Sequence, residues 1–244
     1  MKYIFGNWKM YLSVEDSLSL AKEIAPIQFS EAKVCIFPNS LAFCAVRDIL
    51  ALNSNIYVGA QNVAWTPQGA YTGALSAEIY KQSNAKYAIV GHSERRYIFG
   101  ESNEDVRKKI EACLAAKIIP VICIGETRED KELNTRAIRL KEQIKSIFEN
   151  LELGTGDLFI AYEPVWAISH GSSADPCKPE DVEDVHGFIR QEIAEYTDTY
   201  IPLLYGGSVN AENVVLYTVL PGVDGVLCGT ASTKKEFWEF VSKI

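Results

Sequence analysis

The sequence predicts an α/β protein of one domain over residues 1–244, folded as a closed (β/α)8 barrel of eight parallel strands. Three observations favour this fold. Eight short apolar runs have the composition of strands buried on both faces. Amphipathic helical segments alternate with these runs, as in parallel βα units. No linker, low-complexity stretch or composition break divides the chain, and eight units in 244 residues fit a closed barrel better than an open sheet.

The individual elements follow from local patterns along the chain. The predicted strands are residues 3–8, 34–38, 56–60, 87–91, 119–124, 158–162, 202–206 and 222–228. Four apolar stripes mark helix faces: Val14/Leu18/Ala21/Ala25, Val106/Ile110/Cys113/Leu114, Leu140/Ile144/Ile147/Leu151 and Val182/Val185/Ile189/Ile193. Ser13, Pro179 and Ser232 indicate helix starts, because serine favours the N-cap and proline favours the first turn. No Gly-x-Gly-x-x-Gly follows the first strand, which weakens the open-sheet alternative.

Composition and charge exclude several classes of protein. The net charge of −8 disfavours a nucleic acid or an acidic membrane surface as partner, although a local site can still attract a small anion. The apolar stretch at the start of the chain is too short, and polar residues follow it too soon, for a signal peptide. No apolar run approaches the ~20 residues of a membrane span. The six cysteines include no C-x-x-C pair, so we expect free thiols in a reducing cytoplasm.

Three chemically active side chains lie at predicted strand ends. Glu163 ends an apolar run and precedes Pro164, His92 follows the fourth strand, and Lys9 follows the first. Taken singly, each has an ordinary structural role as a salt-bridge carboxylate, a packed histidine or a solvated lysine. Because the carboxyl ends of barrel strands meet at one face, the three converge there. A base, an electrophile and a fixed cation suit proton transfer beside a carbonyl group.

The last two strand ends have the pattern of a phosphate site. Gly206-Gly207-Ser208 and Gly229-Thr230-Ala231-Ser232 offer unobstructed backbone N–H groups, the second at a helix N-terminus. Glycine pairs at strand ends are also ordinary turns, so neither segment is specific alone. Two such segments after strands seven and eight match the phosphate site typical of these barrels.

Four segments in order resemble the signature segments of the triosephosphate isomerase family. They are Asn7-Trp8-Lys9-Met10, Gly91-His92-Ser93-Glu94-Arg95-Arg96, Ala161-Tyr162-Glu163-Pro164-Val165-Trp166-Ala167 and Tyr205-Gly206-Gly207-Ser208-Val209. The resemblance implies that Glu163 moves a proton between C1 and C2 of dihydroxyacetone phosphate and that His92 polarises the carbonyl. It also implies that Lys9 neutralises developing negative charge.

The same resemblance implies supporting residues and a partner. Asn7 and Glu94 are expected beside the catalytic groups, and Asn7 and Lys9 are expected to help hold the phosphate. The expected phosphate-binding backbone N–H groups are those of Ser169, Ser208, Gly229 and Thr230. Residues 164–174 correspond to the family's mobile lid, and residues 61–75 to the loop that forms its homodimer. No metal or organic cofactor is implied.

Three departures from the family pattern affect these expectations. Ser169-His170 stand where the family usually has Gly-Thr, so we expect altered rates of lid closure with activity retained. Thr230 replaces a glycine and keeps its N–H. Ala74 stands where the family often has glutamate, which removes one expected partner of Arg95 and leaves the affinity of the expected dimer open.

Two other functions compete with an isomerase. A lyase or synthase barrel with a larger substrate would keep the phosphate segments but would not need Lys9, His92 and Glu163 together. A non-catalytic relative, kept as a binding or scaffold protein, would lose these three residues first. All three are present.

Overall fold

Eight parallel strands close into a barrel in the computed structural model, which describes residues 1–153, 158–168 and 177–243. The strands are β1 (Lys2–Asn7), β2 (Ala32–Phe37), β3 (Ile56–Ala60), β4 (Tyr87–Val90), β5 (Ile119–Ile124), β6 (Phe159–Tyr162), β7 (Leu203–Tyr205) and β8 (Gly225–Cys228). Each strand pairs with the next in the sequence, and β8 pairs with β1 to close the sheet. The predicted fold class and all eight strands are confirmed, with ends that differ by up to three residues.

Helices connect the strands around the outside of the barrel. The described helices are α1 (Val14–Ile24), α2 (Phe43–Leu50), α3 (Ala77–Gln82), α4 (Ser93–Tyr97), α5 (Asn103–Ala115), α6 (Arg128–Glu132), α7 (Arg136–Phe148), α8 (Pro179–Ala194), α9 (Val214–Thr218) and α10 (Lys235–Val241). Short 3₁₀ turns occupy Val165–Ala167 and Thr230–Thr233. None of the helices in the described ranges has the length and apolar character needed to cross a membrane.

Two of the three predicted helix starts are confirmed. The Ser13 hydroxyl accepts a hydrogen bond from Asp16 N at 3.0 Å, and Pro179 lies in the first turn of α8. The third prediction is wrong, because the last helix begins at Lys235 and Ser232 lies in the preceding 3₁₀ turn. The Ser232 hydroxyl donates back to Gly229 O at 2.7 Å and therefore stabilises that turn instead of capping α10.

Most of the predicted helix faces are buried, with one exception. The stripe on α8 is buried throughout, and the stripes on α5 and α7 are buried except for Leu114 and Leu151, which are half-buried. On α1 the predicted stripe is confirmed only in part: Ala21 is buried and Leu18 and Ala25 pack half-buried against the core, but Val14 is exposed and the buried residues also include Ser17 and Leu20. Ser17 tolerates burial because its hydroxyl donates to Ser13 O at 2.7 Å. A stripe chosen only from apolar side chains misses this face.

The barrel interior is filled by packed side chains. Aromatic rings from four strands meet in the interior, with the ring centroid of Phe5 5.8 Å from that of Phe37, 5.0 Å from that of Tyr87 and 5.5 Å from that of Phe159. The six cysteines are free thiols as predicted, and Cys44 alone among them is exposed. Because the interior is packed, a binding site for a small molecule has to lie among the loops at the ends of the strands.

One buried histidine predicts a pH-dependent stability. His186 on α8 is fully buried, its ring packs edge-on against Tyr162, and its Nδ1 lies 3.1 Å from Gly222 O. Burial is the main cause that lowers the pKa of His186 from 6.5 to about 4. The unfolded chain therefore binds a proton below pH 6.5 that the folded chain does not bind until about pH 4.

We expect this residue to lower the free energy of unfolding by about 2 kcal/mol between pH 7 and pH 5. The stability is fully present above pH 6.5 and is lost as the pH falls toward 4. Urea unfolding of the parent and of His186→Gln at both pH values measures the effect. The variant should lose less stability on acidification, and equal losses in the two proteins would contradict the assignment.

Candidate active site

The carboxyl ends of the strands surround an open cavity of about 480 Å³. Asn7, Lys9, His92 and Glu163 line it on one side. The loops after β7 and β8 line the other side, including Ser208, Gly229 and Thr230. The structure therefore brings together at one opening the residues that the sequence placed at separate strand ends.

Glu163 is a buried carboxylate held at both its backbone and its side chain. Its backbone N–H donates to Ile124 O at 2.7 Å, and its Oε2 accepts from Ser93 N at 3.0 Å. A Cβ at Gly206 would lie 2.9 Å from the Cγ of Glu163, and a Cβ at Gly125 would lie 1.8 Å from its carbonyl oxygen. Glycine at position 206 leaves room for the side chain of Glu163, and glycine at position 125 leaves room for its backbone carbonyl.

His92 is oriented by the helix that follows it. It is the N-cap residue of α4, and its Nδ1 accepts a hydrogen bond from Glu94 N at 3.2 Å. A ring nitrogen that accepts a hydrogen bond carries no proton, so the neutral ring bears its proton on Nε2. This Nε2 lies 3.1 Å from the Oε1 of Glu163. A neutral N–H donor and a carboxylate therefore face each other at the cavity.

Lys9 is held in a backbone conformation that is unusual for a residue with a side chain. Its φ is +49°, which costs about 1–2 kcal/mol relative to ordinary backbone. Its N–H donates to Asn7 Oδ1 at 3.0 Å, and Gln61 Nε2 donates to its carbonyl at 2.7 Å. Its Nζ pairs with Glu94 Oε1 at 2.7 Å. These contacts explain the placement of Asn7 and Glu94, and they give Gln61 a role that the sequence did not indicate.

The predicted phosphate segments lie beside Lys9. A Cβ at Gly229 would lie 3.4 Å from the Cε of Lys9, so this loop and the lysine face the same space. Thr230 opens the 3₁₀ turn after β8. The Ser208 hydroxyl donates to Ala167 O at 2.7 Å. The predictions for Ser169 and His170 lie outside the described residues, as does the lid segment from residue 169 onward.

A second buried carboxylate, Glu126, supports the turn that follows Glu163. Its Oε1 accepts hydrogen bonds from Trp166 Nε1 at 2.7 Å and from Tyr162 OH at 3.0 Å, and pairs with Arg136 Nε at 3.2 Å. Its carbonyl accepts from Val165 N at 3.0 Å. Glu126 follows the end of β5, and only the folded chain brings it these partners.

Comparison with known proteins places the chain among relatives of one kind. A family model described as triosephosphate isomerase matches residues 2–244. A triosephosphate isomerase of Francisella philomiragia is 40% identical over 250 residues, covering 99% of this chain and 96% of the relative. One from Dictyoglomus thermophilum is 38% identical over 98% of both chains. Another, from Moorella thermoacetica, is 38% identical over 94% of this chain and 92% of the relative.

Proposed function

The chain belongs to the triosephosphate isomerase family, and from this premise we propose that it interconverts D-glyceraldehyde 3-phosphate and dihydroxyacetone phosphate through an enediolate. The observation that carries the proposal is the contact between the Oε1 of Glu163 and the Nε2 of His92, 3.1 Å apart beside Lys9. The reaction belongs to glycolysis and gluconeogenesis, and we place the enzyme in the cytoplasm.

Proton transfer begins at the carboxylate of Glu163. It removes a proton from C1 of dihydroxyacetone phosphate, and the electron pair of that C–H bond becomes part of the enediolate. Returning the proton to C2 gives the aldehyde, and the reverse sequence gives the ketone. Electrons are only redistributed within the substrate, so no redox cofactor takes part. Because the carboxylate is buried, its interaction with the substrate is weakly screened by water.

His92 and Lys9 stabilise the charge that develops on the substrate oxygens. The neutral Nε2–H of His92 donates to the carbonyl oxygen and moves protons between O1 and O2 of the enediolate. The ammonium of Lys9 neutralises negative charge, and Asn7 and Glu94 hold that lysine in position. A hydrogen-bond donor aimed at the place where charge develops lowers the activation free energy of the reaction, by about 3 kcal/mol for one group.

The phosphate of the substrate binds on the β7–β8 side of the cavity. We assign its donors to the backbone N–H groups of Ser169, Ser208, Gly229 and Thr230, with Lys9 and Asn7 adjacent. The supporting observation is that the Gly229 loop and the Lys9 side chain face the same space. Binding the phosphate there leaves the three-carbon chain between His92 and Glu163.

The test is conversion of D-glyceraldehyde 3-phosphate by purified protein, followed through NADH oxidation by excess glycerol-3-phosphate dehydrogenase. Saturable turnover supports the proposal. A folded protein that binds inorganic phosphate but does not turn over would support the non-catalytic relative. Turnover only of larger phosphorylated substrates would support a lyase or synthase.

We also propose that the enzyme is a homodimer formed through residues 61–75. Large apolar side chains are exposed on the loops that follow β1, β2, β3 and α4. They include Met10 (94% exposed), Leu41 (87%), Ile98 (68%), Phe99 (65%), Tyr71 (52%) and Trp65 (47%). Because these strands are neighbours in the barrel, their loops lie side by side, and exposed apolar surface on adjacent loops is typical of an interface. A second copy of the chain would cover it.

Arg95 keeps a partner within its own chain despite Ala74. Its Nε pairs with Glu101 Oε1 at 2.6 Å, and its guanidinium lies 4.6 Å from the centre of the Phe99 ring. The carboxylate that Ala74 lacks is therefore not needed to hold Arg95 in place. We expect Ala74 to reduce the affinity of the dimer without abolishing it.

Replacing Phe99 by lysine is expected to convert the dimer to monomers at micromolar concentration, because a charge would be buried at the interface. Sedimentation velocity measures the change. Leu52→Lys is the matched control, since Leu52 is 92% exposed but precedes β3, at the opposite end of the barrel. Dimeric Phe99→Lys, or dissociation of Leu52→Lys alone, would contradict this interface.

A further inference from the structure

One partly buried cation beside the site, Arg96, has no role in the reaction described above. Arg96 lies on α4, four residues after His92, and its side chain turns inward behind Glu163. Its Nε donates to Gly91 O at 2.7 Å, its Nη2 to Cys123 O at 3.1 Å and its Nη1 to Asn103 Oδ1 at 2.8 Å. The neighbouring Arg95 turns outward to Glu101.

Two of these three hydrogen bonds, those to Gly91 and Cys123, join the segments that hold the reacting groups, and the third ties the guanidinium to α5. Gly91 immediately precedes His92, and it has a φ of +69°. Cys123 precedes Ile124, whose carbonyl accepts the backbone N–H of Glu163. One planar guanidinium therefore sets the spacing between the ends of β4 and β5. Lysine, with a single point charge on a flexible stem, does not reproduce this geometry.

The charge of Arg96 also acts on Glu163. The three acceptors are neutral oxygen atoms, so these hydrogen bonds leave the positive charge uncompensated. Burial lowers the pKa of Arg96, while attraction to Cys123, Tyr97, Glu163 and Glu101 opposes this shift. A buried cation beside a carboxylate favours its ionised form.

We propose that Arg96 is a positioning residue for the isomerisation, which aligns His92 with Glu163 and whose positive charge acts on the Glu163 carboxylate. The proposal rests on the role of Glu163 as the base. Among the residues that the structure describes, the other titratable or charged groups around this carboxylate include His92 after β4, Tyr97 on α4, Cys123 on β5, and the Lys9–Glu94 pair across the cavity.

Two substitutions at Arg96 separate its charge from its geometry. Arg96→Gln removes both, so we expect kcat to fall about tenfold and the acid limb of the kcat/KM profile to move up by about half a pH unit or more. Arg96→Lys keeps the charge but loses the planar guanidinium and its hydrogen bonds, so kcat should fall while the acid limb stays in place. KM and the inhibition constant of inorganic phosphate should stay within twofold in both. Because the substrate phosphate titrates near pH 6, only differences from the parent are interpreted.

Asn103→Asp tests the charge without disturbing Arg96 itself. The new carboxylate keeps the hydrogen bond with Nη1 and compensates the guanidinium charge, so the acid limb should again move up. This variant keeps the proposal testable if Arg96→Gln does not fold. Asn103 opens α5, where an acidic residue is compatible with the helix dipole.

Arg190→Gln is the matched control for a purely structural arginine. Arg190 donates to Ile201 O and Gly222 O, which precede β7 and β8 at the opposite end of the barrel. The Arg190→Gln variant should lose stability but keep the parental kcat and the acid limb of the parental kcat/KM profile. An unmoved acid limb in both Arg96→Gln and Asn103→Asp, or equal shifts in Arg96→Lys and Arg96→Gln, would overturn the proposal. Absence of isomerase activity in the parent would instead reject the proposed function.

Discussion

Replacing Glu163 by glutamine is expected to lower kcat by about 10²–10⁴-fold, with KM within a few-fold of the parent. Glutamine has the same shape and keeps an oxygen that accepts the hydrogen bond from Ser93 N, so the site should stay folded. Its amide does not accept a proton at neutral pH, so the chemical step is lost while binding is kept. Steady-state kinetics in both directions, with circular dichroism as a check on folding, measures the effect.

Asp224→Asn is the control for this substitution. Asp224 accepts hydrogen bonds from Leu203 N, Arg190 Nη2 and Tyr200 OH at the amino ends of the strands. Losing its charge should cost stability but leave kcat unchanged. If Glu163→Gln kept more than a tenth of the parental kcat, another group would have to be the base.

Replacing Lys9 by methionine is expected to lower kcat/KM by about 10²–10³-fold through both a lower kcat and a higher KM. The ammonium faces the phosphate segment and the oxygens of the enediolate, so it acts in the bound substrate as well as in the transition state. The inhibition constant of inorganic phosphate should rise in parallel. Methionine keeps the length and the apolar stem of the lysine side chain.

Lys9→Arg separates charge from shape in the same experiment. It restores the cation and should recover part of the phosphate affinity that Lys9→Met loses. An inhibition constant for phosphate equal to the parent's in Lys9→Met would mean that Lys9 does not contribute to phosphate binding. An unchanged kcat would mean that it does not stabilise the enediolate.

The barrel was predictable because its signal is local. A strand buried on both faces requires a continuous apolar run, and all eight runs became strands. The errors in the helix predictions arose where the hydroxyl of a serine formed its hydrogen bond with a backbone carbonyl of its own turn. Ser17 is buried on α1 because its hydroxyl bonds to Ser13 O, and Ser232 bonds to Gly229 O instead of capping α10. Neither bond is visible in a hydropathy pattern.

The site was predictable only in part, for a related reason. Lys9, His92 and Glu163 lie at strand ends, and the barrel itself brings strand ends together. The residues that hold them act across loops distant in sequence, as Gln61 does on the carbonyl of Lys9. The adjacent arginines 95 and 96 are alike in sequence, yet one pairs with Glu101 and the other turns in behind Glu163. Only the packed chain distinguishes them.

The most direct test of the central claim is the fate of the transferred hydrogen. D-Glyceraldehyde 3-phosphate would be converted in deuterium oxide, and deuterium at C1 of dihydroxyacetone phosphate would be measured by NMR. Removal of a proton by Glu163 predicts deuterium at one position of C1 in a substantial share of the product, because the protonated base exchanges with solvent before it returns the proton. A product without deuterium would contradict transfer through a base that exchanges its proton with solvent, and no product from the folded parent would contradict the isomerase itself.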